Sequence, residues 1–123
     1  MYKIFVLIFV MHVVAGFFLQ SKKISKMKRE NIKYLFLHVG IYTLFFIVFS
    51  PILLDLSFLQ GLAYSLLNGV LHLAVDFITG KFKTKYFEKK SFNYKLTVGI
   101  DYTLHVSILF ITYLLMFKPS LFF

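Results

Sequence analysis

Long apolar stretches alternate with short polar segments along this chain. Each stretch is close to the roughly 20 residues that an α-helix needs to cross a hydrocarbon core about 30 Å thick. Some parts, such as 4–10, are apolar on every side, as expected of a helix surface in contact with lipid. The pattern predicts four transmembrane helices, with approximate bounds 2–20, 34–53, 58–79 and 96–117.

The composition supports a membrane protein rather than a soluble domain. Apolar residues make up 59% of the 123 residues and charged residues 15%, against about 45–50% and about 25% in soluble domains. A soluble domain of this size would leave much of that apolar surface in water. We therefore expect an all-α, polytopic membrane protein whose single domain, residues 1–123, is a bundle of four transmembrane helices. The lack of Cys excludes disulfides and Cys-ligated zinc.

Basic residues are concentrated in two of the three predicted connections. Six of the 14 Lys and Arg residues lie in 21–33, six lie in 80–95, and none lies in 51–57. Short loops rich in Lys and Arg stay in the cytoplasm. We therefore expect loops 21–33 and 80–95 inside, both termini outside, and a multi-pass position in the plasma membrane. Topology accounts for most of the net charge of +9, so the expected partners are the bilayer and its anionic headgroups, not nucleic acid.

Several ionisable side chains lie within the predicted helices. Each helix contains one His, and two of the five acidic residues join them. Such groups are costly in hydrocarbon and usually face a bundle interior. On each helix the polar residues recur at steps of three and four, which places them on one face. The six ionisable residues are His12, His38, His72, Asp76, Asp101 and His105.

These six side chains lie at similar depths. With a rise of about 1.5 Å per residue from the predicted cytoplasmic helix ends, all six fall within a band of about 10 Å. The same calculation makes His72 and Asp101 the closest pair across helices and separates Asp76 from His105 by about 9 Å in depth. The sequence therefore predicts one site in the cytoplasmic half of the bundle.

Imidazoles and carboxylates are typical ligands of zinc and similar divalent ions. The i, i+4 pairs His72–Asp76 and Asp101–His105 would let a carboxylate orient an imidazole, or let both bind one ion. Alternatively, the same groups form interhelical hydrogen bonds that hold the bundle together. The predicted metal ligands are His12, His72, Asp76, Asp101 and His105, and the predicted supporting or proton-relay residues are His38, Gln20 and Asn68.

The polar residues form blocks in a fixed order: His12-x3-Gly16-Phe17-x-Leu19-Gln20, the lone His38, His72-x3-Asp76 and Asp101-Tyr102-x2-His105. This order resembles a bacterial family of small four-helix membrane proteins catalogued as a domain of unknown function. The blocks of that family read H-x3-D-F-x-L-Q, a lone His, H-x3-D and D-Q-x-x-H. Gly16 stands where that pattern has Asp, and Tyr102 where it has Gln. The His and Asp pattern is also similar, more loosely, to predicted membrane-bound metal-dependent hydrolases.

Two classes of function fit these residues. In the first, a divalent metal bound by the cluster activates water for hydrolysis of an amide or phosphoester in a lipid-like substrate. In the second, the protein is a non-enzymatic accessory, immunity-type or proton- or solute-transport-related bundle. Its cluster is then structural or binds protons, since imidazoles titrate near neutral pH.

Overall fold

The computed structural model describes residues 2–18, 24, 27–28, 31–86 and 92–121. Within these ranges the chain forms helices and turns without any strand, so the all-α prediction is confirmed. A π-helical turn, Val14–Phe18, extends the first helix, and a short 3-10 helix, Pro119–Leu121, follows the last. We number the helices in chain order as α1 (Tyr2–Val13), α2 (Ile32–Leu53), α3 (Phe58–Tyr86) and α4 (Phe92–Phe117).

Three of these helices are long and apolar enough to cross a membrane, over Ile32–Leu53, Phe58–Lys81 and Lys95–Phe117. The remaining apolar helix, Tyr2–Gly16, is shorter than the predicted span 2–20. Large apolar side chains cover the outer surfaces of the helices, and Val70, for example, is 66% exposed in the isolated chain. A surface of this kind is suited to lipid rather than to water. The prediction of an all-α membrane protein with four helices is therefore confirmed.

Two helices extend beyond their predicted ends. α3 continues past Thr79 to Tyr86, and α4 begins at Phe92 rather than at 96. Most described residues of segment 80–95 are thus helical rather than part of a loop. The physical reason is local, because no Gly or Pro follows Gly80 in this segment to interrupt a helix.

Local sequence also explains the ends of α2. At its start the Asn31 side chain accepts a hydrogen bond of 2.9 Å from the Lys33 amide, as in a typical helix N-cap. Just after its end, Asp55 has a φ of 55°, in the left-handed region that Asp tolerates better than most residues. This conformation reverses the chain direction before α3 begins.

Each helix packs against two others. α3 packs along both α2 and α4, while α1 contacts α4 and its π-helical extension contacts α2. Two glycines of α3 allow a close approach to α2. A Cβ on Gly69 would lie 2.5 Å from Thr43 Oγ1, and one on Gly61 would lie 2.5 Å from Pro51 Cγ. Small residues at such contacts are typical of packed transmembrane helices.

The buried core divides into two halves along the bundle. The half nearest the α2–α3 turn is apolar, and its side chains include Ile8, Met11, Phe46, Tyr64, Leu109 and Tyr113. The opposite half contains the buried His and Asp residues. Polar contacts also link the helices, and the Tyr64 hydroxyl donates to the Leu109 carbonyl over 2.7 Å. These links hold α3 against α4 at the level where the polar half begins.

Candidate metal centre

Asp76 lies at the centre of the polar half of the core. α3 supplies Asp76 and, one helical turn earlier, His72. α2 supplies His38, and α4 supplies Asp101 and His105, again one turn apart. All five residues are buried. Five of the eight predicted site residues, from three helices, therefore meet in one place.

Three ligand atoms form an almost equilateral triangle. The Nε2 atoms of His38 and His72 are 3.0 Å apart. Each of them lies 3.1 Å from Asp76 Oδ2. Two imidazole nitrogens and one carboxylate oxygen, contributed by α2 and α3, thus face a common point.

The edges of the triangle are slightly shorter than the roughly 3.4 Å that separates neighbouring ligands of a tetrahedral zinc ion. An ion about 2.1 Å from all three atoms would lie about 1 Å above their plane, with ligand–metal–ligand angles of about 95°. Hydrogen bonds explain the triangle less completely. If each Nε2 donates to Asp76 Oδ2, the two nitrogens are both donors and still lie 3.0 Å apart. Within the described part of the chain, Asp76 Oδ2 has no hydrogen-bond partner although both nitrogens are close.

The second oxygen of Asp76 faces α4. Asp76 Oδ1 lies 3.2 Å from His105 Nε2. On the other side of the ring, His105 Nδ1 is 2.7 Å from the Asp101 carbonyl oxygen, so Nδ1 donates a proton there. In a neutral imidazole Nε2 then carries a lone pair, and this lone pair faces a carboxylate oxygen. This contact needs a cation between the two atoms, either a proton or a metal ion.

Asp101 supports His105 from the same helix. Asp101 Oδ1 lies 3.2 Å from His105 Nδ1 and accepts a hydrogen bond of 2.9 Å from Thr79 Oγ1. Carboxylates that orient a ligating imidazole in this way are common around metal sites. Asp101 therefore lies in the cluster, as predicted from its spacing to His105.

Two groups of residues have ligand atoms within 4.8 Å of one another. The first consists of His38, His72 and Asp76, and the second of Asp76, Asp101 and His105. Asp76 belongs to both groups. These buried groups could hold a metal ion.

His12 lies beside these groups rather than in either one. Its Nδ1 is 3.0 Å from the Tyr42 hydroxyl, and its ring stacks on His105 with a centroid distance of 5.5 Å. His38, predicted as a supporting residue, instead contributes a corner of the triangle. The sequence contained a signal for this, because the calculated depth of His38 was closer to that of Asp76 than the depth of His12 was.

The other two predicted supporting residues have different outcomes. Asn68 lies one turn from His72, and its Nδ2 donates to Thr112 Oγ1 over 3.0 Å. It lines a small cavity of about 10 Å³ together with Tyr42, His72 and His105. That volume accommodates a single water molecule. Gln20 lies outside the described residues.

Lys28 is a charged neighbour of the centre that sequence analysis did not single out. Its ammonium lies 3.7 Å from Asp76 Oδ2, and its side chain is 20% exposed. Sequence analysis counted Lys28 only as one of many basic residues in segment 21–33. The spacing of those basic residues does not indicate that Lys28 lies near Asp76.

The sequence predicts that His72 and Asp101 are the closest pair across helices. In the structure, Asp76 instead makes close contacts across helices, with His38 and His105. The depth calculation took Gly80 and Lys95 as the helix ends. Measured from the observed ends of α3 and α4, Asp76 lies about 15 Å and His105 about 20 Å along their helices, a difference of about 5 Å instead of about 9 Å. The side chains span this remaining difference of about 5 Å, because side chains on a helix lean along its axis.

Comparisons with known proteins identify the family of this chain. Neither the curated proteins nor the solved structures yield a significant match to this chain. A family model described as "Protein of unknown function (DUF3307)" matches residues 4–122. That range contains all four helices almost entirely, together with every residue of the centre. The chain therefore belongs to the DUF3307 family.

Proposed function

We propose that this membrane protein binds a divalent metal ion such as zinc through His38, His72 and Asp76, and that the ion supports hydrolysis of a lipid-like substrate. The observation that carries the proposal is the triangle of ligand atoms, with edges of 3.0, 3.1 and 3.1 Å. Three protein ligands leave a coordination position open, as in catalytic rather than structural zinc sites.

The charges of the centre favour a divalent ion. Asp76 and Asp101 are both buried and together supply two negative charges. A buried carboxylate is costly unless it is paired, and a dication would neutralise this pair. The Lys28 ammonium, 3.7 Å from Asp76 Oδ2, supplies part of the positive charge that the two carboxylates need.

The surroundings of His72 suit a bound water. The cavity of about 10 Å³ beside it is lined by Tyr42, Asn68 and His105, which offer hydroxyl, amide and imidazole groups to a water molecule. A divalent ion supplies the polarisation that makes water nucleophilic near neutral pH. The polar side chains around the cavity would form hydrogen bonds with that water and orient it.

An apolar groove would bind the acyl chain of a lipid-like substrate. The groove has a volume of about 280 Å³ and lies between α2 and α3. Its α3 side includes Leu73 and Phe77, which directly follow His72 and Asp76 along the chain. An acyl chain in this groove would place its polar end near the level of the centre, where hydrolysis takes place.

We also propose that the centre lies on the cytoplasmic side of the plasma membrane, with both termini outside. The distribution of basic residues supports this orientation. Because the chain has no Cys, single-cysteine variants report topology cleanly. In intact cells, an impermeant thiol reagent should label Ser57→Cys in the α2–α3 turn and should label Lys81→Cys only after lysis. The opposite labelling would reverse the orientation.

Metal content and zinc titration of the purified protein in detergent test the metal site. We expect the metal-stripped protein to bind zinc, and His72→Gln to weaken the tightest binding by more than about 100-fold, beyond what loss of a supporting contact costs. The matched control is His12→Gln, the same substitution in a His outside the triangle, which should change the affinity by less than about threefold. Chromogenic phosphodiester and amide lipids then test hydrolysis, which a chelator should abolish.

A second candidate function is a proton-binding network. The observation that favours it is His105, whose two nitrogens both face oxygen acceptors, the Asp101 carbonyl and Asp76 Oδ1. A doubly protonated imidazole would satisfy both. In that case the wild-type protein takes up no zinc at neutral pH, and the nitrogen chemical shifts of His105 report two protonated positions.

A further inference from the structure

We infer that the centre holds two metal ions, with the second bound by Asp76 Oδ1, His105 Nε2 and Asp101, so that the Asp76 carboxylate bridges the pair. This inference rests on the proposed function, because it assumes the first ion at His38, His72 and Asp76. It adds a second site on the α4 side of the same carboxylate.

The two oxygens of Asp76 face different ligand sets. Oδ2 lies 3.1 Å from the imidazole nitrogens of both His38 and His72. Oδ1 lies 3.2 Å from His105 Nε2. A carboxylate that offers one oxygen to each of two ligand groups has the arrangement of a bridging ligand, and bridged metal ions lie about 3.5–4 Å apart.

His105 is a buried ligand without a suitable partner. Its side chain is 6% exposed, and within the described residues Nε2 has no hydrogen-bond partner. Nδ1 already donates to the Asp101 carbonyl, so Nε2 is available as a lone pair. A neutral imidazole in this tautomer is the form that binds metal ions.

Asp101 completes the second set. Its ligand oxygen lies within 4.8 Å of the ligand atoms of both Asp76 and His105. Neighbouring ligands of a tetrahedral ion lie about 3.4 Å apart, so side-chain movements of about 1 Å would bring the three atoms to a common ion. Asp101 would rotate about the hydrogen bond of 2.9 Å that its Oδ1 accepts from Thr79 Oγ1.

The charge balance is compatible with two ions. Two dications bring four positive charges, and Asp76 and Asp101 offset two of them. The cavity of about 10 Å³ is lined by His72 from the first set and His105 from the second. A hydroxide in that cavity would offset a third charge and bridge the two ions. The remaining charge is one. The Lys28 ammonium, 3.7 Å from Asp76 Oδ2, adds a second, which rotation of this partly exposed side chain into solvent would remove.

The number of bound ions tests the inference directly. We expect two zinc ions per chain in the wild-type protein and in His12→Gln. His105→Gln and Asp101→Asn should each retain the first ion and lose the second. If the wild type binds one ion that His72→Gln weakens and His105→Gln does not, the second site is overturned while the proposed function stands. If the wild type binds none, both fail.

Electron paramagnetic resonance of the wild-type protein tests for two ions without any variant. Wild-type protein loaded with Mn²⁺ should show the exchange-coupled spectrum of two ions that share a carboxylate. Loading with half an equivalent of Mn²⁺ should show mainly an isolated ion if the first site is the tighter one. An isolated-ion spectrum at every loading would overturn the inference even if His105→Gln fails to fold.

Discussion

The segment that ends α1 and the middle of α3 contain a similar motif in different environments. α3 carries His72 with Asp76 one turn later, and α1 carries His12 with Gly16 at the same spacing. His72 belongs to the triangle with Asp76. His12 instead contacts the Tyr42 hydroxyl and lies outside both ligand groups. The comparison indicates that the carboxylate, rather than the imidazole, determines where ligand atoms converge.

The backbone conformation at Gly16 also differs from that at Asp76. Gly16 lies in the π-helical turn Val14–Phe18, where the regular four-residue repeat of side-chain directions is interrupted. A Cβ added at Gly16 would meet no atom within 4 Å among the described residues. Asp76, by contrast, lies within regular α-helix and is buried against α2 and α4. α1 thus has space at the position where α3 has a ligand.

The largest effect is expected from Asp76→Asn. An amide cannot supply the negative charge that both ligand groups share, so we expect zinc binding to be lost altogether and zinc to give no increase in the unfolding temperature. Metal content and thermal unfolding with and without zinc measure this. Asp101→Asn serves as the control and should retain the first ion. Undiminished zinc binding by Asp76→Asn would contradict the central role of this carboxylate.

Gly16→Asp should make α1 more like α3. A Cβ at Gly16 meets no atom of the described residues within 4 Å, and the added negative charge would offset the positive charge of bound zinc. We expect zinc affinity to rise about tenfold through Coulombic attraction. Gly16→Asn, which has nearly the same size without the charge, should leave the affinity unchanged. An equal effect of both substitutions would show that packing, not charge, separates the two helices.

Lys28→Met should have a smaller effect in the same direction. Lys28 lies near Asp76 Oδ2 and is partly exposed, and its ammonium opposes the binding of another cation. Such a partly exposed ion pair contributes up to about 1 kcal/mol, so zinc affinity should rise by about threefold to fivefold. Lys33→Met, an exposed Lys in the first turn of α2, is the control. A fall in affinity for Lys28→Met would show that Lys28 assists binding instead.

The smallest effect on the metal is expected from Tyr42→Phe. This change removes the hydroxyl that contacts His12 and leaves the ring in place. We expect the free energy of unfolding to fall by about 1 kcal/mol, the usual contribution of one buried hydrogen bond. Zinc affinity should change by less than about twofold. A large loss of zinc binding would place His12 among the ligands and remove the contrast with His72.

The position of the centre was largely predictable from sequence. The polar residues of α3 and α4 recur at helical spacing, and regular helices keep that spacing in the folded protein. His72 and Asp76 therefore share a face, as do Asp101 and His105, and all four are buried. The identity of the contacting pairs was less predictable. The approach of His105 to Asp76 depends on where α3 ends and α4 begins, and Lys-rich segments beyond the apolar stretches continue the helices.

The sequence by itself determined the helical membrane fold, the family and the end of the bundle at which the ionisable residues lie. These follow from apolar length, helical period and the cost of ionisable groups in hydrocarbon, all of which act locally along the chain. Depth along the helices favours His38 over His12, but only the tertiary structure shows that the His38 ring contacts His72 and Asp76. It also shows that Lys28 approaches the same oxygen. Those contacts depend on how each helix is rotated and how closely it packs. The close approach of α2 to α3 at Gly69 and Gly61 is one such determinant, and it depends on contacts with Thr43 and Pro51, which lie in another helix.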